Sequence, residues 1–192
     1  MPTPNEITRR PFGDANKRTQ LTQEQIFASQ GRIPPQATDL EEVVLGALML
    51  EKDAVNQVID ILTPDAFYLD KHQKIFAAIK SLFGKSEPID ILTVTNELRF
   101  TGELEMVGGA YYISKLTNRV VSSANIEYHA RIIMQKHIQR QLIEISSQMI
   151  HEAFEDTTDV FDLLDKAENN LFQISENNLR RSYDTMQDLV SK

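Results

Sequence analysis

The chain has 192 residues, 41% hydrophobic and 25% charged, the composition of an ordinary soluble protein with room for one domain and an appendage. Its 28 acidic against 20 basic residues give a net charge of −8, which argues against a main nucleic-acid surface, because such surfaces are usually basic. The chain contains no cysteine, which excludes disulfides, thiolate catalysis and cysteine zinc sites. It has no apolar run long enough to cross a membrane and no secretory signal, so we expect a cytoplasmic protein with no membrane contact.

Residues 1–32 are rich in proline and polar residues and have little apolar periodicity. This composition predicts a disordered arm, with at most a short helix over residues 22–29. Four of its basic residues, Arg9, Arg10, Lys17 and Arg18, could touch phosphates, but its composition favours a solvated tail. Ordered structure is expected to begin at Pro34-Pro35.

Residues 33–121 predict a compact head of five or six short helices with strands essentially absent, so the fold class is all-α. Thr38-Asp39-Leu40-Glu41 has the pattern of a capping box at the start of the first helix. Gly46 in that helix should permit the close approach of a neighbour. Further helices are expected over residues 54–61, 70–83, 91–100 and 110–116. On the second of these, the residues expected to face inward are Ile75, Phe76, Ile79, Leu82 and Phe83. Asp90 should cap the helix that follows.

Residues 122–178 predict two helices, over 125–151 and 160–174, whose connection is short enough to require an antiparallel hairpin. A seam of apolar residues at steps of three and four is expected inside the hairpin. Its predicted members are Ile138, Leu142, Ile145 and Met149 on the first helix and Val160, Leu164, Ala167, Leu171 and Ile174 on the second. Thr157 or Thr158 should cap the second helix.

Three apolar residues of the second hairpin helix, Phe161, Leu163 and Phe172, lie off the predicted seam. A two-helix arm has no third wall to cover them, so they require either the head or another copy of the chain, and periodicity leaves both open. The residues predicted for self-association are Phe161, Leu164, Leu171 and Phe172. An aspartate at Leu171 should break the hairpin by burying an unpaired charge.

The polar run 175–182 predicts a hinge. Residues 179–192 form the last region, made of this hinge and the start of a further helix. From Tyr183 a new amphipathic pattern begins and stops at Lys192, which suggests that the natural protein continues.

No catalytic, cofactor-binding or metal-binding residue is predicted. Gly84-Lys85-Ser86 lacks the earlier glycine and the preceding strand of a phosphate loop, so a turn is favoured. His72 is expected to be packed and hydrogen-bonded on its helix rather than catalytic. Five acidic residues of the head, Glu41, Glu42, Asp53, Asp60 and Asp65, are interpreted as a solvated surface.

Several motifs occur in an order that resembles the amino-terminal part of the bacterial replicative DNA helicase, the DnaB family. They run from about Arg32 to Glu176 and are Pro34-Pro35, Asp39-Leu40-Glu41, Val44-Leu45-Gly46-Ala47-Leu48, Phe67-Tyr68, His72-Gln73-Lys74-Ile75-Phe76, Pro88-Ile89-Asp90, Val107-Gly108-Gly109, Ala124-Asn125-Ile126-Glu127-Tyr128 and Leu163-Leu164-Asp165-Lys166-Ala167-Glu168. Leu40 departs from the small residue usual in the family, and the arm is longer than the family leads us to expect.

The resemblance implies a non-catalytic collar domain whose hairpins pair into dimers and assemble three-fold into a hexamer. It also implies docking of primase, and in some bacteria of a loader, with Tyr112, Ile143 and Met149 at the positions that match the primase-facing surface. ATP, magnesium and most DNA contacts would belong to an ATPase domain that is absent from this chain, and the helix beginning near Tyr183 would be the start of the linker.

Two other classes of function remain open on the sequence. A free-standing helical adaptor would bind an unrelated partner helix through the hairpin. A small all-helical hydrolase would require converging carboxylates or histidines in a pocket, and none is predicted.

Overall fold

The computed structural model describes residue 31, residues 33–120 and residues 124–190, with side chains described up to residue 176. The described residues are helical without strands, as predicted. Apart from Gly31, the predicted arm lies outside them. None of the described helices is both long enough and apolar enough to cross a bilayer.

The head contains five α-helices and one short 3-10 helix. They are α1 (Thr38–Leu50), α2 (Ala54–Val58), the 3-10 helix (Pro64–Ala66), α3 (Asp70–Gly84), α4 (Ile91–Phe100) and α5 (Gly109–Thr117). α1 lies at the centre, where it packs on α3, on α5 and on the first turns of the long helix that follows. The largest fully buried side chains include Leu45, Phe67, Phe76 and Ile113.

The beginning of α1 differs from the prediction. The residue before the helix is Ala37, and no side chain caps the helix there. Glu41 does not complete a capping box, because its carboxylate turns inward and accepts a 2.7 Å hydrogen bond from the Tyr68 amide. By contrast, Asp90 caps α4 as predicted, accepting from the amides of Leu92 and Thr93.

Two residues of the head test the packing predictions in opposite directions. Gly46 lies where α5 crosses α1, and a Cβ atom built on it would stand 2.3 Å from the Leu116 carbonyl oxygen. The predicted close approach is therefore confirmed. Phe83 was expected to face inward, but it is 39% exposed. Its place at the last turn of α3 puts it beyond the edge of the core.

The hairpin consists of α6 (Ile126–Ala153) and α7 (Val160–Val190). Lys166 of α7 pairs with Glu152 of α6, while Asn170 and Gln173 lie beside Gln141, so the helices run antiparallel as predicted. Asp159, not a threonine, caps α7 by accepting from the Phe161 amide at 2.8 Å. The α7 backbone continues without interruption through residues 175–182, where the sequence predicted a hinge. A polar composition does not break a helix that lacks glycine and proline.

Candidate interaction site on the helical hairpin

One side of α7 carries a row of uncovered apolar side chains. Phe161 is 77% exposed, Leu164 63%, Leu171 47% and Phe172 62%. These four residues, which we call the α7 face, are the ones predicted for self-association. Large hydrophobic side chains that are left uncovered in one patch favour association, so such a row usually marks a surface that another molecule covers.

The predicted seam inside the hairpin is wrong for four of its members, Leu142, Val160, Leu164 and Leu171, which are exposed. The side of α7 turned toward α6 instead carries Leu163, Ala167 and Ile174, at steps of four and seven residues. Leu163 was expected off the seam and is half-buried. The cause is that α7 has two neighbouring apolar rows with the same three-and-four spacing, and spacing does not say which row meets α6.

Polar side chains line much of the contact between α6 and α7. A crevice of about 170 Å³ lies between the helices, bordered by Ile145 and Ile174 and by the polar residues Gln141, Glu144, Asn170 and Gln173. In the hairpin, therefore, polar side chains share the inside with Leu163, Ala167 and Ile174, while the larger apolar side chains of the α7 face lie outside. This distribution is typical of a helix pair that is completed by another molecule.

α6 contributes residues to two different sides of the hairpin. Leu142, 39% exposed, and half-buried Met149 are seven residues apart, and the helical rotation puts them on the same side as Leu164 and Leu171. They lie next to the α7 face, on the other helix of the hairpin. Ile143 lies about 120° away from Met149 around α6.

A second apolar row lies on the side of α6 that points away from α7. It consists of half-buried Ile143, Ile150, which is 58% exposed, and Phe154, which is 85% exposed. We call these three residues the outer stripe. Ile150 and Phe154 were missed by the sequence reasoning, although their spacing of seven and eleven residues from Ile143 was a signal that could have found them.

Tyr112, the third predicted partner-binding residue, belongs to a buried polar network of the head. His72 is completely buried and places Nδ1 2.7 Å from Glu41 Oε2 and Nε2 2.8 Å from the Tyr112 hydroxyl. The hydroxyl in turn donates to Glu42 at 3.2 Å, and Glu42 pairs with Arg119 at 3.1 Å. The network joins α1, α3 and α5. The prediction of a packed, hydrogen-bonded His72 is confirmed, whereas the surface interpretation of Glu41 is wrong.

The Tyr112 side chain is half-buried, and its surroundings fix its hydroxyl in the neutral form. Burial, followed by the charge of Glu42, raises the pKa of Tyr112 well above its usual range. The Lys71 ammonium lies 3.9 Å from the centre of the ring. What Tyr112 offers to a partner is therefore part of its ring, close to a cation, and not its hydroxyl.

Arg140 fastens the hairpin to the head. Its side chain is 4% exposed and donates from Nη1 to the Pro35 carbonyl at 2.9 Å and from Nη2 to the Ala66 carbonyl at 2.7 Å. Burial lowers the pKa of Arg140, which nevertheless remains charged. One guanidinium thus holds α6, the 3-10 helix and the segment that leads out of the arm. Nothing in the sequence around Arg140 predicted this role.

These features define a helical interaction domain. Its head has an apolar core and a buried polar network, and it supports a hairpin with uncovered apolar surfaces. Among the described residues, no group of three His, Asp or Glu side chains is arranged to hold a metal ion. The family model for the DnaB-like helicase N-terminal domain matches residues 33–135. The chain belongs to this family.

Individual relatives agree with this assignment. The chain is 44% identical over 176 residues to the replicative DNA helicase DnaB of Rhodothermus marinus, covering 92% of this chain and 19% of the relative. It is 36% identical over 159 residues to the replicative DNA helicase DnaC of Bacillus subtilis, covering 83% of this chain and 35% of the relative. The chain thus spans well under half the length of these relatives.

A solved structure extends the likeness to the fold. The N-terminal domain of DnaB helicase from Mycobacterium tuberculosis matches with a TM-score of 0.70 and 35% identity, over 73% of this chain and 99% of that one. A DnaB-like replicative helicase, described together with its interactions with primase, matches with a TM-score of 0.61 over 73% of this chain and 31% of that one. At 23% identity this second likeness concerns the fold alone.

Proposed function

We propose that this chain is the collar module of a hexameric replicative DNA helicase, which holds subunits together and docks primase without performing catalysis. The parent protein would unwind duplex DNA with ATP and magnesium bound in its ATPase domain. The observation that carries the proposal is the α7 face, four large apolar side chains that one copy of the hairpin leaves uncovered. Family membership supplies the class of protein in which such a surface has a use.

Self-association through the α7 face is the first part of the proposal. Two copies that meet there in a symmetric dimer each bury the same four side chains, because a two-fold axis brings the same patch of both partners together. The contribution of each side chain therefore counts twice per dimer. Phe172 is 62% exposed, so covering the rest of it is worth about 1–2 kcal/mol per copy, hence about 2–4 kcal/mol per dimer. Three such dimers would then form the hexameric collar.

Sedimentation equilibrium of the 192-residue chain tests this part. We expect the wild type to show the mass of a dimer or larger in the micromolar range. Phe172→Asp should weaken association at least about thirtyfold, because the two lost contacts together are worth about 2 kcal/mol or more. Gln173→Glu adds the same charge at an exposed position of α7 that lies about 100° or more from every residue of the α7 face, and it should leave the mass unchanged. A wild type that stays monomeric throughout would contradict the proposal.

Leu171→Asp is expected to act like Phe172→Asp, by separating copies rather than by breaking the hairpin. Leu171 is 47% exposed in a single copy, so a carboxylate there remains in contact with water. A circular dichroism spectrum like that of the wild type, combined with a lower mass, is the expected result.

Primase docking is the second part, with contacts at Tyr112, Ile143 and Met149. A helicase with a similar fold is described with its interactions with primase, which supports this choice of partner. Since Ile143 and Met149 lie about 120° apart around α6, one flat partner surface cannot cover both on the same copy. We therefore propose that primase meets Ile143 of one copy and Met149 of another, so that docking requires the assembled collar. A loader is a further candidate partner in the same position.

Titration of the chain with the carboxy-terminal helical domain of primase tests the second part. Ile143→Asp and Met149→Asp should each weaken binding, and Phe172→Asp should weaken it as well by dispersing the collar. Glu155→Gln, a change at the exposed tip of the hairpin, is the control. Undiminished binding to a monomeric Phe172→Asp variant would contradict a composite docking surface.

A further inference from the structure

We propose that the chain's own amino-terminal segment, residues 21–29, packs against the outer stripe of α6. The stripe is formed by Ile143, Ile150 and Phe154, and it lies on the side of α6 opposite to α7. This contact is independent of the proposed self-association, because it lies on a different side of the hairpin from the α7 face. It shares Ile143 with the proposed primase surface, so the arm and primase exclude each other there, and the test below is made without primase.

The position of Pro35 supports this occupant. The Pro35 carbonyl accepts a 2.9 Å hydrogen bond from Arg140, which lies on α6 less than one turn before Ile143 and on the same side. The arm therefore reaches the folded protein at the near end of the stripe. Residues 21–29 are therefore only 6–14 residues along the chain from this anchor at Pro35.

The length of the segment also fits. Ile150 lies about 15 Å beyond Arg140 along α6, since each helical residue rises about 1.5 Å. The six steps along the chain from Ile33 back to Phe27 span up to about 20 Å when extended. The segment brings Leu21, Ile26 and Phe27, its large apolar residues, against the three side chains of the stripe.

The small size of the stripe favours a tethered occupant over a free one. Stable complexes between separate proteins bury about 1,200–2,000 Å² in total, far more than three side chains provide. A segment on the same chain binds at an effective concentration in the millimolar range, so a small contact is sufficient. The stripe is therefore suited to the arm and not, by itself, to a second copy.

Cysteine cross-linking tests the contact, because the chain contains no cysteine and every thiol is placed by choice. The test pair is Ser29→Cys with Ser147→Cys, which lies between Ile143 and Ile150. The control pair is Ser29→Cys with Ser175→Cys, which lies at nearly the same height of the hairpin but on the side of the α7 face. A short bismaleimide should link the test pair within one chain roughly tenfold faster than the control pair, because docking adds to the effect of the tether alone.

A second comparison separates apolar docking from mere proximity. Phe27→Asp should reduce the rate of the test pair to that of the control, while Gln23→Asp, which adds the same charge to a polar position, should leave it unchanged. In the cysteine-free chain, Phe27→Asp should also speed hydrogen exchange within residues 143–154, and Gln23→Asp should not.

Each other result overturns the proposal. Equal rates for the two pairs would mean that the arm does not prefer the stripe. A fast reaction that survives Phe27→Asp would mean that the apolar residues of the arm are not what binds. Cross-links that join two chains would assign the stripe to another copy.

Discussion

Replacing Gly46 by alanine should destabilise the head, although helix propensity alone predicts the reverse. In a helix interior, alanine is favoured over glycine by about 1 kcal/mol. At Gly46, however, the added Cβ would lie 2.3 Å from the Leu116 carbonyl oxygen and 2.7 Å from Val120 Cγ2. The first atom belongs to the backbone of α5, so no change of rotamer relieves the contact.

The expected magnitude follows from how far α5 has to move. An ordinary contact of a Cβ with a carbonyl oxygen is longer by about 1 Å, and overpacking of this kind costs about 1–3 kcal/mol or more. After subtraction of the propensity gain, we expect a net loss of about 2 kcal/mol. For a chain of this size, the loss lowers the melting temperature by roughly 4–8 °C.

Gly84→Ala is the matched control, because no atom lies within 4 Å of the Cβ that would be added there. Gly84 is the last residue of α3, so the control should be neutral or stabilising by up to about 1 kcal/mol. Urea unfolding followed by circular dichroism at the helical signal measures both variants. If Gly46→Ala were as stable as Gly84→Ala, the close packing of α1 against α5 would be refuted.

Two further predictions concern buried polar contacts. Tyr112→Phe should cost about 1–2 kcal/mol at neutral pH, since it removes the hydroxyl that joins His72 to Glu42. Because the folded-state pKa of Tyr112 is raised, the hydroxyl's contribution is complete below about pH 10 and falls as the pH rises further; unfolding titrations should therefore show a shallower alkaline loss in the variant. Arg140→Met should cost about 2–3 kcal/mol in urea unfolding by leaving two buried carbonyls unpaired, whereas Arg131→Met, which breaks only an exposed pair, should cost under about 1 kcal/mol. Equal losses for the two arginine variants would count against the anchoring role of Arg140.

The elements of the fold could be predicted from the sequence because their signals are local. Asp90 precedes α4 as a capping residue, and the short connection after α6 requires an antiparallel hairpin. The partners of individual side chains could not be predicted in this way. Glu41 has the sequence position of a capping glutamate, yet it bonds to Tyr68 and His72, which lie 27 and 31 residues away.

The candidate site was predicted in part. The apolar content of Phe161, Leu164, Leu171 and Phe172 was evident from the sequence, and all four are exposed. What the sequence could not provide was the rotation of α7, because two adjacent apolar rows share one spacing. The rotation depends on which row meets α6, and that is decided by the packing of the whole hairpin.

The crevice between α6 and α7 has a consequence for how a newly made chain matures. Amide and carboxylate side chains at this contact gain little over the water they displace, so α6 is held to α7 within one chain mainly by Leu163, Ala167 and Ile174. A hairpin without a partner copy should therefore keep both helices but exchange its amide hydrogens faster than a hairpin in a dimer. The packing of α6 against α7 would then become fixed only after two finished chains have associated.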